Sequence, residues 1–248
     1  MRPVTADTTD EARGRAVFVE ADRRERGYVD LEVNLEMILG NAAGTESRRL
    51  LRIRQLEVPD DGDKLLVVFD TPKTIRGTAF LSFSYKTGTD DQWLYLPASK
   101  RVKRIASKNK SGPFLSSEFA FEDLSAQEVE KFTYRYSGEG EAAELPCFVV
   151  ERVPKDEHSG YRRQLVWLDQ AEYRIQKIEY YNKRDELTKT LTYGGYQKHL
   201  GQFWRPATMF MVNHKDGKTT ELIWHDYRFR NGFIAERDFS ATTLKRVY

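Results

Sequence analysis

Histidine and cysteine are the side chains most often used in catalysis and metal binding, and this chain has few of them. None of its four histidines, His158, His199, His214 and His225, has a spacing that lets two imidazoles share a metal from one element. The single cysteine, Cys147, begins an apolar run typical of a buried strand. No nucleophile elbow, P-loop or dinucleotide-binding glycine motif is present. The sequence therefore predicts no enzyme, no bound metal and no cofactor.

A short basic run is the next stretch that could do chemistry. Its principal cations are Lys100, Arg101, Lys103 and Arg104. Cations close to aromatic residues such as Trp93 and Tyr95 are typical of proteins that bind single-stranded nucleic acid. The whole chain, however, carries 40 Lys and Arg against 38 Asp and Glu, a net charge of +2, which does not favour nucleic acid. We therefore expect this run to contact lipid headgroups or an acidic protein surface, as a peripheral membrane or partner contact.

An apolar segment follows the basic run after Gly112 and Pro113. Its large side chains are Phe114, Leu115, Phe119 and Phe121. Ser125 and Glu128 have the spacing of a capping box, which predicts that a short helix begins at Ser125. We expect a helical lid at about 113–131 that lies over an apolar cleft. The alternative is that the segment fills the core as a covering loop.

Helical and alternating patterns indicate the elements that must position these segments. A helix is predicted at about 9–26, with Thr and Asp residues at its start and Gly27 at its end. From Leu31 onward, apolar and polar residues alternate, as in a strand with one buried face. Similar runs separated by turn dipeptides predict a curved antiparallel sheet over about 28–230. With no linker or repeat, we expect one domain over residues 1–248.

Several quoted stretches resemble a known family. They are 76–85 (RGTAFLSFSY), 93–125 (WLYLPASKRVKRIASKNKSGPFLSSEFAFEDLS), 173–181 (YRIQKIEYY) and 203–224 (FWRPATMFMVNHKDGKTTELIW). Together they are similar to the bacterial outer-membrane lipoprotein-sorting proteins, relatives of the periplasmic carrier LolA and its receptor LolB. The resemblance runs from about Ala12 to Lys245 and implies a mainly β (α+β) fold. That fold is an unclosed antiparallel β-barrel of about eleven or more strands with helices covering its mouth.

The resemblance also implies a function. Such a protein would be a periplasmic carrier in a Gram-negative bacterium, with its signal peptide absent from this chain. It would bind the acyl chains of a lipid or lipoprotein in an apolar cavity and move them between the inner and outer membranes. Family members are associated with RND-type inner-membrane exporters, which makes such an exporter an expected partner. The oligomeric state, the cargo and the transport direction are not predicted.

Strand alternation predicts which side chains would line the cavity. The predicted lining is Leu31, Val33, Leu35, Met37, Leu51, Ile53, Leu81, Phe83, Trp93, Tyr95, Met209, Met211, Leu222 and Trp224. A register error of one residue would turn every such side chain to the other face. The competing interpretation is a periplasmic adaptor whose interior is filled by its own side chains and holds no ligand. An enzyme would instead need polar groups that converge in the cleft.

Overall fold

The computed structural model describes residues 9–59, 61–230, 232 and 234–246. Its N-terminal helix, α1, runs over Asp10–Glu25, and the Thr9 hydroxyl caps it by accepting a hydrogen bond from the Ala12 N–H at 3.2 Å. No helix in these ranges is long and apolar enough to cross a membrane.

Strands make up most of the remaining described chain. The first six are β1 (Asp30–Gly40), β2 (Glu46–Leu56), β3 (Lys64–Thr71), β4 (Ala79–Phe83), β5 (Asp91–Leu96) and β6 (Arg101–Arg104). The next five are β7 (Phe132–Ala142), β8 (Leu145–Pro154), β9 (Tyr161–Asp169), β10 (Ile175–Asn182) and β11 (Leu187–Gly194). The last four are β12 (Gln197–His199), β13 (Phe203–Arg205), β14 (Thr208–Asn213) and β15 (Thr219–Phe229).

Thirteen of these strands form one antiparallel sheet in the order β6-β5-β4-β3-β2-β1-β15-β14-β11-β10-β9-β8-β7. Within the described ranges, the edge strands β6 and β7 pair with one neighbour each, so the sheet is unclosed. Strands β12 and β13 form a separate hairpin. The predicted fold class, a mainly β unclosed antiparallel barrel, is confirmed.

Helix α1 packs against the edge strand β7 at very short range. A Cβ atom on Gly14 would lie 2.7 Å from the backbone nitrogen of Tyr136, so only glycine permits this approach. Phe18 of the helix contacts Tyr134 of β7, with ring centroids 4.7 Å apart. The helix therefore covers one of the two edges that the open sheet leaves.

Two apolar clusters lie on opposite faces of the sheet. The larger occupies the concave face and includes Val33, Leu51 and Phe80. The smaller lies on the convex face, where Phe239 and Leu244 near the C-terminus cover strands β3 to β5. Strands β3 and β4 are consequently buried on both faces.

The two edge strands are consecutive in sequence, and the chain between them, residues 105–131, crosses the open side of the sheet. We call this stretch the crossing segment. It contains 3-10 turns at Ser107–Asn109, Phe121–Leu124 and Val129–Lys131. Pro113 and Ala120 form an isolated antiparallel bridge, which folds residues 112–121 into a narrow loop.

The predicted helix start at Ser125 is wrong, because residues 125–128 are not helical. The Ser125 hydroxyl accepts a hydrogen bond from Gln92 Nε2 at 2.9 Å instead of capping a helix. The N–H of Ala126 donates to Ser84 Oγ at 2.8 Å. The Ser125 hydroxyl and the Ala126 N–H, which would have started the helix, are therefore hydrogen-bonded to side chains on or next to β4 and β5.

Candidate functional site: an apolar cavity beneath the crossing segment

A cavity of about 260 Å³ lies between the concave face of the sheet and the crossing segment. Its apolar lining consists of Leu31, Val33, Leu35, Met37, Leu51, Ile53, Leu65, Val67, Phe114, Phe119, Leu124, Ala126, Met209, Leu222 and Trp224. The polar lining consists of Gln55, Asp63, Asp123 and Ser125. The wall is thus largely hydrocarbon, with a few polar groups among it.

Strand register explains why these side chains meet. Leu35 of β1 lies opposite Leu51 of β2 on one side and opposite Trp224 of β15 on the other. Residues directly opposite in antiparallel strands point to the same face, so three adjacent strands contribute one continuous apolar row. The next row on the same face continues into β14, because Met37 lies opposite Leu222 of β15 and Leu222 lies opposite Met209 of β14.

Most of the predicted lining residues are brought together. Met209 of β14 lies in the cavity wall. So do all the predicted residues on β1, β2 and β15, which are Leu31, Val33, Leu35, Met37, Leu51, Ile53, Leu222 and Trp224. Met211 is fully buried in the same concave cluster but does not border the cavity.

Leu81, Phe83, Trp93 and Tyr95 were predicted to line the cavity, and the structure contradicts this. Leu81 and Tyr95 are buried in the convex cluster, against which Phe83 and Trp93 pack. Their immediate neighbours Phe80 and Leu94 face the concave side. Strand β4 is buried on both faces, so its sequence lacks the alternation that would identify the inner face, and the prediction was one residue out of register.

The four apolar residues predicted for the lid all lie against the concave cluster. Phe114 and Phe119 border the cavity and are buried. Leu115 and Phe121 are half-buried and pack beside them, and the Phe121 ring lies 5.5 Å from that of Phe114. These residues form part of the cavity wall or pack beside it, and they fill part of the interior.

Polar contacts hold the tip of the crossing segment, residues 115–118, against strands β2, β11, β14 and β15. The Glu118 N–H donates to Thr220 Oγ1 of β15 at 2.9 Å, and Asn213 Nδ2 of β14 donates to the Glu118 carboxylate at 2.6 Å. Lys189 Nζ of β11 donates to the Glu118 carbonyl at 2.6 Å. Arg49 of β2 donates to the Leu115 carbonyl at 2.5 Å. We call these four hydrogen bonds the latch.

The tip also has an unusual backbone. Leu115 and Ser116 have φ values of +47° and +67°, a left-handed conformation that residues other than glycine rarely adopt. Such conformations persist where surrounding contacts hold them, and here the latch supplies those contacts. The tip is therefore held in place by polar contacts more than by backbone preference.

Alternation could not reveal the polar groups of the cavity wall, which lie outside the apolar pattern. Asp63 accepts hydrogen bonds from Tyr28 Oη at 2.7 Å and from Gln55 Nε2 at 3.3 Å. Burial raises the pKa of the Asp63 carboxyl. Asp123 accepts from Tyr161 Oη at 2.9 Å, and burial raises its pKa as well.

The basic residues lie at one edge of the sheet. Lys100, Arg101, Lys103 and Arg104 are all exposed, and Arg104 pairs with Asp91. Lys103 lies opposite Leu94, which faces the concave side, whereas Arg104 lies opposite Trp93, which faces the convex side. The charges are therefore divided between the two faces, as the alternation of Arg101–Arg104 predicts.

In the part of the chain that the structure describes, no group of three or more His, Cys, Asp or Glu side chains could hold a metal ion. Cys147 is buried, and burial raises the pKa of its thiol. What this cavity can do is remove apolar groups from water.

An open antiparallel sheet curved around an apolar cavity defines the protein as one of LolA-like fold. A LolA superfamily protein from Nitrosomonas europaea superposes with a TM-score of 0.72 at 20% identity, over 92% of this chain and 97% of that one. This likeness concerns the fold alone.

Two solved structures are much more similar. A domain from Vibrio parahaemolyticus that carries the name outer membrane lipoprotein-sorting protein is 49% identical, with a TM-score of 0.92, over 94% of this chain and 99% of that one. A DUF1329 family protein from Desulfovibrio piger is 26% identical, with a TM-score of 0.90, over 96% of this chain and all of that one (100%).

A family model whose description reads "Uncharacterized protein" matches residues 61–246. None of the curated proteins compared with the chain matches it. With 49% identity to the Vibrio domain over almost its whole length, the chain belongs to the outer membrane lipoprotein-sorting protein family, and the predicted resemblance is confirmed.

Proposed function

We propose that this protein is a non-enzymatic carrier that binds the acyl chains of a lipid or lipoprotein in the cavity beneath the crossing segment. The observation that carries the proposal is the lining, because hydrocarbon side chains from five strands and the crossing segment converge on one space. The name of the Vibrio relative supports the same reading. The protein would act in the periplasm, between the inner and outer membranes, with an RND-type exporter as a partner.

The energy of acyl-chain burial is sufficient for such a carrier. Each methylene group moved from water to an apolar site contributes about 0.8 kcal/mol, so a chain of ordinary length offsets the cost of ordering it. No covalent chemistry is required. Release then depends on movement of the crossing segment or on transfer to a partner with higher affinity.

The closed cavity is small for this task. At about 260 Å³ it lies just below the range of roughly 300–1,000 Å³ typical of small-molecule sites. An entire acyl chain therefore requires the crossing segment to move outward. Phe114 and Phe119 occupy the space that a longer chain would take. The closed form is the empty state of the carrier in this proposal.

Two neighbouring residues of β3 provide a matched test. Val67 lines the cavity, whereas Val68 is buried in the convex cluster, and both are nearly inaccessible to solvent. Val67→Phe takes up part of the cavity, so we expect binding of a dansyl-labelled fatty acid to weaken about tenfold or more, the effect of losing two or so buried methylenes. Val68→Phe introduces the same bulk on the other face and should leave binding unchanged.

The result would distinguish a lipid carrier from the competing interpretation, an adaptor that holds no ligand. The carrier is supported if the unaltered protein binds the fatty acid, Val67→Phe weakens that binding and Val68→Phe preserves it. Absence of binding by a folded unaltered protein, together with a clean apo mass after incubation with bacterial lipid extract, would overturn it. Circular dichroism of each variant checks that the added ring has not unfolded the sheet.

A further inference from the structure

A second cavity, of about 270 Å³, lies beside the apolar one. It is lined by Gln197, His199, Arg205, Ala207, Trp224, Asp226 and Tyr227. It forms where β14 begins at Thr208 while β15 continues past Ile223 toward the β12–β13 hairpin. Its lining is largely polar and aromatic, in contrast to the hydrocarbon wall of the first cavity. We call it the side pocket.

Trp224 belongs to the walls of both cavities. Its backbone N–H donates to the Ala207 carbonyl at 2.9 Å, which holds the residue at the junction. A single ring therefore separates an apolar space from a polar one. This arrangement matches an amphiphile, whose chain and headgroup are covalently joined and need adjacent sites of opposite character.

Two ring nitrogens at the side pocket have no partner among the described residues. They are Trp224 Nε1 and His199 Nε2, and both atoms are buried. A buried polar atom without a partner costs about 1–3 kcal/mol, so such atoms are retained mainly where a ligand or water satisfies them. Both belong to residues that line one pocket, where water or a polar ligand can satisfy them once the side chains turn toward it.

The charged residues around the pocket indicate which kind of polar ligand it would bind. Arg205 is largely buried and forms an ion pair with Glu25 of α1. Asp226 lies exposed on the lining, and its carboxylate accepts a hydrogen bond from Asn34 Nδ2 of β1 at 3.2 Å. The positive charge of Arg205 is thus already balanced by Glu25, and the lining carries the further carboxylate of Asp226, which disfavours a ligand that carries only negative charge. Burial and the nearby Arg205 lower the pKa of His199, so its imidazole adds no positive charge near neutral pH.

The aromatic residues add sites for a cation. The rings of Trp224 and Tyr227 lie nearly parallel, with centroids 6.2 Å apart and an interplanar angle of 18°. Faces of Trp and Tyr rings attract ammonium groups. Together with the Asp226 carboxylate, they offer a place for positive charge on the same lining as the donors of Arg205.

We propose that the side pocket binds the headgroup of an ethanolamine-type zwitterionic phospholipid whose acyl chain enters the apolar cavity. Arg205 and the indole Nε1–H of Trp224 donate to the phosphate, and Asp226 with the ring of Tyr227 holds the ammonium group. This inference rests on the proposed carrier function and adds the class of cargo. A zwitterion satisfies both signs of charge, which a purely anionic headgroup does not.

A competition experiment tests the assignment. The protein is incubated with vesicles of equal amounts of phosphatidylethanolamine and phosphatidylglycerol with identical chains, then repurified, and its bound lipid is identified by mass spectrometry. We expect phosphatidylethanolamine to be enriched about fivefold, the upper range for one exposed ion pair. Phosphoethanolamine without acyl chains, added at the same concentration, should not displace it, and displacement would argue against a lipid.

Asp226→Asn is the informative variant. Asp226 has a φ of +56°, a conformation that asparagine adopts readily, so the substitution removes charge without straining the chain. It should abolish the preference for phosphatidylethanolamine while binding of the dansyl-labelled fatty acid stays unchanged. Asp216→Asn, in the exposed β14–β15 turn, makes the same chemical change elsewhere and should keep the preference.

The two proposals fail in different ways. If the fatty acid binds but both phospholipids are recovered equally, or Asp226→Asn keeps the preference, the side pocket is not a headgroup site and the carrier remains. If neither fatty acid nor phospholipid binds to folded protein, the carrier itself is wrong.

Discussion

Phe114 of the crossing segment and Phe80 of β4 meet edge to face, with ring centroids 5.3 Å apart. Both rings are almost completely buried, and Phe114 also contacts Phe69 of β3 at 5.9 Å. The crossing segment is therefore anchored in the floor of the barrel at one point, in addition to the latch at its tip. Substitutions in this anchor and in the latch should therefore have different effects.

Truncation of the anchor should lower the stability of the whole fold. We expect Phe114→Ala to reduce the free energy of unfolding by about 3–5 kcal/mol, the usual loss for a buried phenylalanine. Urea denaturation measures this loss. Phe210→Ala on β14 is the matched control, because Phe210 is 39% exposed and its truncation should cost far less. Equal losses in both variants would show that Phe114 is not an anchor.

Weakening the latch should instead affect the tip alone. Thr220→Val keeps the side-chain shape but removes the acceptor for the Glu118 N–H. One hydrogen bond contributes about 1 kcal/mol, so local opening should become about fivefold more frequent. Hydrogen exchange of peptides covering 112–121 measures this opening. Thr219→Val, one residue earlier on the same strand, should leave that exchange unchanged.

In the carrier proposal, the same latch variant should also change uptake. Because the chain enters only when the crossing segment moves, Thr220→Val should accelerate association of the dansyl-labelled fatty acid by a similar factor. Faster exchange without faster uptake would mean that the ligand enters by another route.

Some features of the site could be predicted from sequence because a physical pattern encodes them. Strand β1 has one buried and one polar face, so alternation identified Leu31, Val33, Leu35 and Met37 as inward-facing. Strand β4 is buried on both faces, and the same method chose Leu81 instead of Phe80. Alternation succeeds only where solvent contacts one face of the sheet.

Other features depend on contacts between residues distant in sequence. The capping-box spacing at Ser125 predicted a helix, but Gln92, from β5, uses the Ser125 hydroxyl. The side pocket joins the β12–β13 hairpin to β15, and nothing local in either stretch indicates that they meet. Tertiary hydrogen bonds and strand order decided these points, and neither is visible in a short window of sequence.

Glu128 should make stability depend on pH. Burial, followed by the nearby carboxylates of Asp63 and Asp22, raises the pKa of Glu128 to about 7, although Arg26 lies 3.9 Å away. The folded-state pKa exceeds the ordinary value of 4.5, so the folded protein binds more protons between these values. Stability therefore falls as the pH rises through this window.

Replacing Glu128 by glutamine should remove that pH dependence. Glu128→Gln cannot ionise, so its free energy of unfolding should exceed that of the unaltered protein at about pH 8 and approach it at about pH 4. Urea denaturation at both values checks this. Glu157→Gln, in an exposed turn, serves as the control. A Glu128→Gln variant less stable at both pH values would indicate that the carboxylate is needed in its charged form.

The basic edge strand should govern docking more than lipid capacity. Arg101 and Lys103 are exposed on β6, from which the crossing segment departs toward β7. Each cation near an anionic bilayer contributes about 1 kcal/mol, so Arg101→Glu with Lys103→Glu should weaken binding to phosphatidylglycerol vesicles about tenfold or more. Vesicle sedimentation at low salt measures this, and added salt should reduce the difference.

A charge-matched variant separates location from net charge. Lys183→Glu with Lys215→Glu reverses two exposed cations in the β10–β11 and β14–β15 turns, away from β6. If both double variants lose vesicle binding equally, overall charge and not the edge strand explains the attraction. If only the β6 variant loses it, while fatty-acid binding in solution stays intact in both, the edge strand is a docking surface distinct from the cavity. The cavity and the edge strand would then have separate roles, since the cavity binds the acyl chain and the edge strand contacts the membrane that supplies it.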